Sequence, residues 1–365
     1  MKAVILVGGY GTRLRPLTLT MPKPLVPFCN KPMTVHQLEA LRDAGVKEVI
    51  LAVAYRSEEM KQVMTEWERE LGISVVYSFE DEPLGTAGPL ALARSILLQD
   101  DSPFFVLNAD VTCKFPLKKL LEFHLQHGKE GTIAVTRVED WKKYGVVVHD
   151  EKTGKIERFA EKPQEFIGDK INAGIYVFNK SILNRIKLEK TSIERQVFPN
   201  MASEGQLYAF NLEGFWMDIG VPSDYIDGIG KYLSSLVGTP AAKELAQAES
   251  GQEYVLNGFV MIHPTAKISK GCVIGPNVTI GPGCTIGPFC RIQRSAVFDK
   301  SDIGAGALID SSIVAWRGKV GSWCRIVNTV LGEDVQVNDE LYLNEVKVLP
   351  NKVISQSYPE PEVIM

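Results

Sequence analysis

Over the first two thirds of the chain, apolar positions fall into blocks of two kinds. Short runs rich in β-branched residues read as buried strands: Ala3 to Val7, Lys47 to Ala54, Ile73 to Phe79, and Pro103 to Asp110. Between them lie segments with helical spacing. Asn30 is placed to cap a helix with Pro32 near its first turn, Leu38 and Leu41 fall on one face, and Gly45 ends it. Ser57-Glu58-Glu59 opens a second helix that Gly72 closes. Alternation of this kind predicts an α/β fold: a mixed, mainly parallel sheet with helices on both faces and ligands at the carboxyl ends of the strands. Further strands are expected at Thr132 to Val138, Tyr144 to His149, Ile156 to Phe159 and Ile171 to Phe178. Ser192 to Ala202 and Asp224 to Leu236 read as amphipathic helices that finish the domain.

The pattern then changes. Val237 to Gly251 is rich in Ala, Gly, Ser, Glu and Gln, which suits a linker at 237–255 between a domain at 1–236 and another at 256–365. From Ile262 an internal repeat dominates: Ile268, Ile274, Ile280, Ile286 and Ile292 follow at six-residue intervals. The phase slips by one at Val297, resumes at Ile303 and Ile309, slips again at Val314, and continues through Val320 and Ile326. A sixfold aliphatic period with small and turn residues between predicts a parallel β-helix with stacked isoleucines in its core. The open ends and edges of such a solenoid lead us to expect oligomers.

Composition narrows the class. A hydrophobic content of 45% over 365 residues supports ordinary soluble globular cores. The N-terminal apolar run is too short for a signal peptide and no stretch has the length of a membrane helix, so a cytoplasmic protein is expected. Six scattered cysteines (Cys29, Cys113, Cys272, Cys284, Cys290, Cys324) lack zinc-finger spacing and read as free thiols. A net charge of −4 argues against general nucleic-acid binding. The five histidines (His36, His124, His127, His149, His263) share no motif and are read as structural.

Candidate chemistry gathers where the first strand stops. Gly8-Gly-Tyr-Gly11-Thr-Arg13-Leu-Arg15 leads to Pro22-Lys23-Pro24, and no acidic residue precedes Glu39, against five basic ones (Lys2, Arg13, Arg15, Lys23, Lys31). Glycines that expose backbone N–H groups, followed by cations, suit a polyphosphate. The loop is neither Gly-x-Gly-x-x-Gly nor the Walker pattern, which disfavours a dinucleotide dehydrogenase or P-loop kinase. Leu84-Gly85-Thr86-Ala87-Gly88 follows a strand and would let backbone approach a flat base or a phosphate, or else is a plain strand-to-helix turn with Pro89 in the first helical turn. Asp110 ends another strand, and Asp218 stands in Gly214-Phe-Trp-Met-Asp218-Ile-Gly220. In Arg158-Phe-Ala-Glu161-Lys162-Pro163, adjacent strand residues should point to opposite faces unless Pro163 distorts the end, so no ordinary ion pair is expected.

Together these motifs resemble the sugar-1-phosphate nucleotidylyltransferases, and the stretch through Lys31-Pro32 with the C-terminal segment from Leu341 is similar to the mannose-1-phosphate guanylyltransferase branch. The resemblance covers nearly the whole chain. It implies a Rossmann-like nucleotidyltransferase domain followed by a left-handed β-helix of hexapeptide repeats. It also implies residue roles: Leu6, Gly8, Gly9, Gly11, Thr12, Arg13, Lys23, Gly85, Thr86 and Asn108 for the nucleotide; Gly145, Glu161, Lys162 and Asn172 for the sugar phosphate; Asp110 and Asp218 for Mg²⁺. Ala109 departs from the serine or glycine usual before the first aspartate. The implied reaction is an in-line displacement in which mannose 1-phosphate attacks the α-phosphorus of GTP, giving GDP-mannose and pyrophosphate. Arg13, Lys23, Lys162, Asp110 and Asp218 carry the catalysis. Implied partners are those small molecules, a second copy of the chain and a regulatory paralogous subunit. Three rivals stay open: glucose 1-phosphate with UTP or ATP, an acyltransferase relying on His263, and a non-catalytic subunit that senses GDP-mannose.

Overall fold

The computed structural model describes residues 1–9, 11–53, 57–248 and 250–365. Tyr10 of the glycine loop, the expected strand end at Ala54, and Glu249 of the expected linker lie outside them. The chain forms two compact units, Met1–Gly9 with Thr34–Trp216, and Tyr10–Met33 with Met217–Met365.

The first unit is built on a nine-stranded mixed sheet. Its strands are β1 (Lys2–Leu6), β2 (Glu48–Val53), β3 (Ser74–Phe79), β4 (Phe104–Asn108), β5 (Gly131–Arg137), β6 (Gly145–His149), β7 (Ile156–Glu161), β8 (Lys170–Phe178) and β9 (Leu207–Asn211). The order is β7-β6-β8-β4-β1-β2-β3, with β5 on β8 and β9 on β5. Strands β4, β1, β2 and β3 run parallel, and β8 turns antiparallel against β4. The chain leaves β1 toward β2 and β3, then returns to β4 on the other side. The order therefore reverses between β1 and β4, where α/β sheets open a crevice for ligands. Val4, Ile50, Val106, Ile133, Tyr176, Phe178 and Phe198 fill the core.

Two helix expectations change. The first helix is Met33–Asp43, and Asn30 does not cap it: Asn30 takes a left-handed φ of 66° and its amide donates to the Ile280 carbonyl at 3.0 Å. Pro32 belongs to a short strand, Lys31–Pro32. The expected helix from Ser192 begins as a wide π-type turn, Ile193–Val197, before a short α-helix, Phe198–Ser203. On the helix Leu117–His127, His124 Nδ1 and His127 Nε2 both reach Thr132 Oγ1, at 2.8 and 2.7 Å. His124 is buried and His127 half-buried, with the His127 ring stacked 4.2 Å from that of Tyr208.

In the second unit the hexapeptide period folds as a left-handed parallel β-helix of three sheets. The phase slips have a simple origin. Ile262 pairs with Ile280, eighteen positions on, but Ile280 pairs with Val297 and Val297 with Val314, seventeen on. Every coil after the first omits one residue on the same side, ahead of the corner formed by Arg294, Ser311, Asn328 and Glu345. Each corner residue is left-handed, with φ between 45° and 56°. The inward stack stays in register throughout: Ile274, Ile292, Ile309, Ile326 and Leu343.

One outer face of this solenoid is apolar too. Met261, Ala296, Ile313 and Val330 pack with Leu14, Leu17, Val26 and Phe28 of the N-terminal segment and with Tyr225, Ile229 and Leu233 of the helix Pro222–Ser235. The Phe28 and Tyr225 rings meet edge to face at 5.4 Å. Each fully buried Leu or Phe here contributes about 1.5–3 kcal/mol.

Candidate active site

In the first unit, the glycine loop and the Asp110 turn leave adjacent strands at the switch point. Leu6 and Asn108 are register partners, and the Ala109 N–H donates to the Leu6 carbonyl at 3.2 Å. The turn is clasped from behind by a residue that sequence reasoning missed. Gln37, wholly buried on the first helix, donates to the carbonyls of Asn108 (2.8 Å) and Val111 (3.1 Å), one on each side of Asp110. No local motif marks it, because its role depends on a helix packing under a distant turn.

The segment around Gly85 is a bracket stitched to 191–194. Gly85 has φ 77°, and a Cβ there would lie 2.5 Å from the Thr191 carbonyl oxygen, so only glycine fits. Thr191 N–H donates to Leu84, and Ala87 N–H donates to Thr191, both at 3.0 Å. The Thr86 hydroxyl donates to Glu194 Oε2 at 2.6 Å and accepts from the Ile193 N–H at 2.9 Å. Thr86 thus fixes the bracket through its side chain. The buried carboxylate of Glu80 accepts from the Leu84 N–H at 2.8 Å, and its other oxygen is 3.8 Å from where a Gly8 Cβ would stand.

The expected sugar-phosphate residues also meet. Between Asn172 and Tyr176, β8 bulges against β5, with Gly174 at φ 72°. Asn172 donates from Nδ2 to the Tyr176 hydroxyl at 2.9 Å and accepts from the Gly174 N–H at 3.0 Å. A Cβ on Gly174 would sit 2.7 Å from Asn108 Nδ2, and one on Gly145 would sit 2.8 Å from Glu161 Oε2. Asn108, Asn172, Gly145 and Glu161 are therefore neighbours of one small region. Burial, then the Glu194 carboxylate, pushes the Glu161 carboxyl up, opposed by Lys162 and Arg195. Lys162 overturns the expectation of opposite faces. It leaves the strand with φ 48°, and its Nζ comes within 3.8 Å of Glu161 Oε1 while its side chain stays 56% exposed. So loose and wet a pair contributes little to stability, which leaves the ammonium available to a ligand.

In the second unit, Gly220 marks where three groups converge. A Cβ there would stand 2.7 Å from Asp218 Oδ1, 2.8 Å from Arg13 Nη2 and 3.2 Å from Lys23 Nζ. Asp218 Oδ1 accepts from the Gly220 N–H at 2.9 Å, and its other oxygen is 3.7 Å from Arg13 Nη1. Thr18 donates to the Gly11 carbonyl at 2.7 Å and fixes the start of the loop. Two of the five early cations have structural duties: Lys2 pairs with Glu48 at 2.5 Å, and Lys31 with Glu244 at 3.6 Å. Thr12 and Arg15 are exposed, and Leu6 and Lys23 are half-buried.

Asp110 and Asp218 are both half-buried carboxylates. Among the described residues no group of three or more His, Cys, Asp or Glu could hold a metal. A half-buried carboxylate in each unit is a hard oxygen donor, the kind that divalent cations prefer.

Comparison with known proteins identifies the chain's relatives. Residues 2–235 match the nucleotidyl transferase family and residues 256–364 match the GMPPB C-terminal domain. Mannose-1-phosphate guanyltransferase beta-A of Xenopus laevis is 56% identical over 366 residues, covering 100% of both chains. Mannose-1-phosphate guanyltransferase of Hypocrea jecorina is 55% identical over 367 residues, again with 100% of both covered. Among solved structures, HddC from Yersinia pseudotuberculosis complexed with GMP-PN is 30% identical with a TM-score of 0.54, covering 63% of this chain and 99% of its own.

Proposed function

The chain belongs to the nucleotidyl transferase family, in its mannose-1-phosphate guanylyltransferase branch, and from that membership we propose that it joins GTP and mannose 1-phosphate into GDP-mannose, releasing pyrophosphate. Both reactants are anions, so catalysis rests on neutralising charge and aligning the groups, with no covalent enzyme intermediate. The attacking phosphate oxygen is already ionised and needs no general base. Arg13 and Lys23 hold the departing pyrophosphate, and Lys162 aims the attacking phosphate as a compact point charge. Glu161 and Asn172 take the sugar hydroxyls, with Gly145 leaving room for them. The backbone of Leu6, Gly8, Gly9, Gly11 and Thr12 lies along the nucleotide, while Gly85, Thr86 and Asn108 border its base and ribose. Asp110 and Asp218 would hold the divalent cation, Mg²⁺ in this reading, which would offset the phosphate charge. The observation that carries this reading is the ring of Arg13, Lys23 and Asp218 around Gly220, two cations and a carboxylate on a backbone that admits no side chain.

The protein works in the cytoplasm as a homo-oligomer with a regulatory paralogous subunit as a further partner. Among the described residues no helix is long and apolar enough to cross a membrane, and the exposed Phe289 and Trp323 of the solenoid support assembly. The deciding experiment measures pyrophosphate release across four nucleoside triphosphates and several hexose 1-phosphates. GTP with mannose 1-phosphate is expected to turn over fastest. If UTP with glucose 1-phosphate does so, the guanine and mannose assignment fails; if no pair turns over, the chain is a sensor and not a catalyst.

A further inference from the structure

A cavity of about 550 Å³ lies wholly within the second unit and has Arg13 on its wall. Its floor is the left-handed corner of the solenoid, where Asn277, Arg294, Ser311 and Asn328 succeed one another, one per coil. Its roof is the first turn of the helix Pro222–Ser235. The roof is held close at one end because Gly230 carries no side chain: a Cβ there would lie 2.7 Å from Asn277 Nδ2. Beyond that contact helix and ladder diverge, and the gap between them is the cavity.

Its chemistry is that of an anion site. Arg13, Arg294 and Lys347 come from three separate stretches of chain; Asp227 is the carboxylate in the lining, and Asp218 and Asp310 face Arg13 and Arg294 from outside it. Arg294 is held in place by Asp310, with Nη2 2.6 and 2.7 Å from the two carboxylate oxygens, and its Nε donates to Ser311 at 3.2 Å. Lys347 is exposed at the rim. The Asn277 and Asn328 carboxamides and the Ser223 hydroxyl add neutral donors to the lining, which suits the several oxygens of a phosphate group better than a lone carboxylate.

We propose that this cavity is a second site for a phosphate-bearing small molecule, distinct from the cluster around Gly220 and joined to it through Arg13. The guanidinium of Arg13 borders both, so an anion held in the cavity competes with the nucleotide polyphosphate for it. A metabolite with a single phosphate group then acts as an inhibitor without occupying the sugar region.

The test is calorimetric titration of inorganic phosphate into the full-length, metal-free protein and two variants. Asn328→Asp keeps the shape and tolerates the left-handed backbone while adding a negative charge. Lys347→Ala removes an exposed cation. Each is expected to weaken phosphate binding roughly tenfold, as loss of a charge-assisted hydrogen bond does. Circular dichroism melts like that of the wild type would establish that both variants are folded. Wild-type affinity in both variants, or no phosphate binding by the wild type, overturns the proposal. So does loss of binding in Lys23→Ala with both variants unaffected, since the phosphate would then sit with the catalytic cations. Because the readout is binding, it stands apart from the choice of nucleotide and sugar.

Discussion

At the scale of single residues, Asp110 and Lys162 each put a full charge where the proposed reaction gathers phosphate oxygens. Asp110→Asn or Lys162→Ala should lower kcat about a hundredfold or more, as removal of a preorganised electrostatic contact does, measured as pyrophosphate release at saturating substrate. Gly220→Ala is a sharper probe. Its methyl group would fall within 2.8 Å of both Asp218 and Arg13, so these groups must shift although no charge is lost. A drop in kcat of roughly tenfold or more with the melting temperature little changed is expected; wild-type kcat would show that the positions of Arg13 and Asp218 are unimportant. Gln37 and Glu194 carry no signal in the sequence. They hold Asp110 and Thr86 through contacts 74 and 108 positions apart, which no local pattern encodes. The Glu161–Lys162 pair was misread for a related reason: strand alternation assumes an extended backbone, and Lys162 departs from it at φ 48°.

At the scale of elements, long periodic patterns were legible and element ends were not. The strands came out within a few residues, whereas the cap expected at Asn30 gave way to a hydrogen bond with Ile280, which the local sequence cannot reveal. The helix Leu117–His127 offers a pH test. Burial lowers both imidazoles, His127 to about 4 with help from His124 and Lys129, from an ordinary value of 6.5. The unfolded chain therefore binds more protons than the folded one across this window. Stability is full above pH 6.5 and falls as the pH drops toward about 4. The melting temperature should decline between pH 7 and pH 5 more steeply in the wild type than in His127→Gln, and parallel curves would remove the cluster from the acid response.

At the scale of the whole molecule, the sixfold repeat announced the solenoid, and the slips that looked like irregularities are its regular coil length. Less visible was that residues 10–33 share a core with residues 217–365. Phe28, Leu14 and Leu17 look like loop residues in sequence because their partners, Ile313 and Val330 among them, come some 300 positions later. A fragment ending at residue 236 should accordingly be poorly soluble and inactive. It retains Phe28, Tyr225 and Ile229 but lacks the solenoid face that covers them, an exposure that favours aggregation. A soluble fragment with wild-type pyrophosphate release would refute this. The shared core also sets a schedule for the newborn chain. At about 5–20 residues per second, a ribosome needs roughly 15–60 s to travel from the thirties to the coils that shelter Phe28. Throughout that interval the segment 10–33 has been translated while the solenoid face that completes its core has not, so one of the first stretches to be made is among the last to be fully buried.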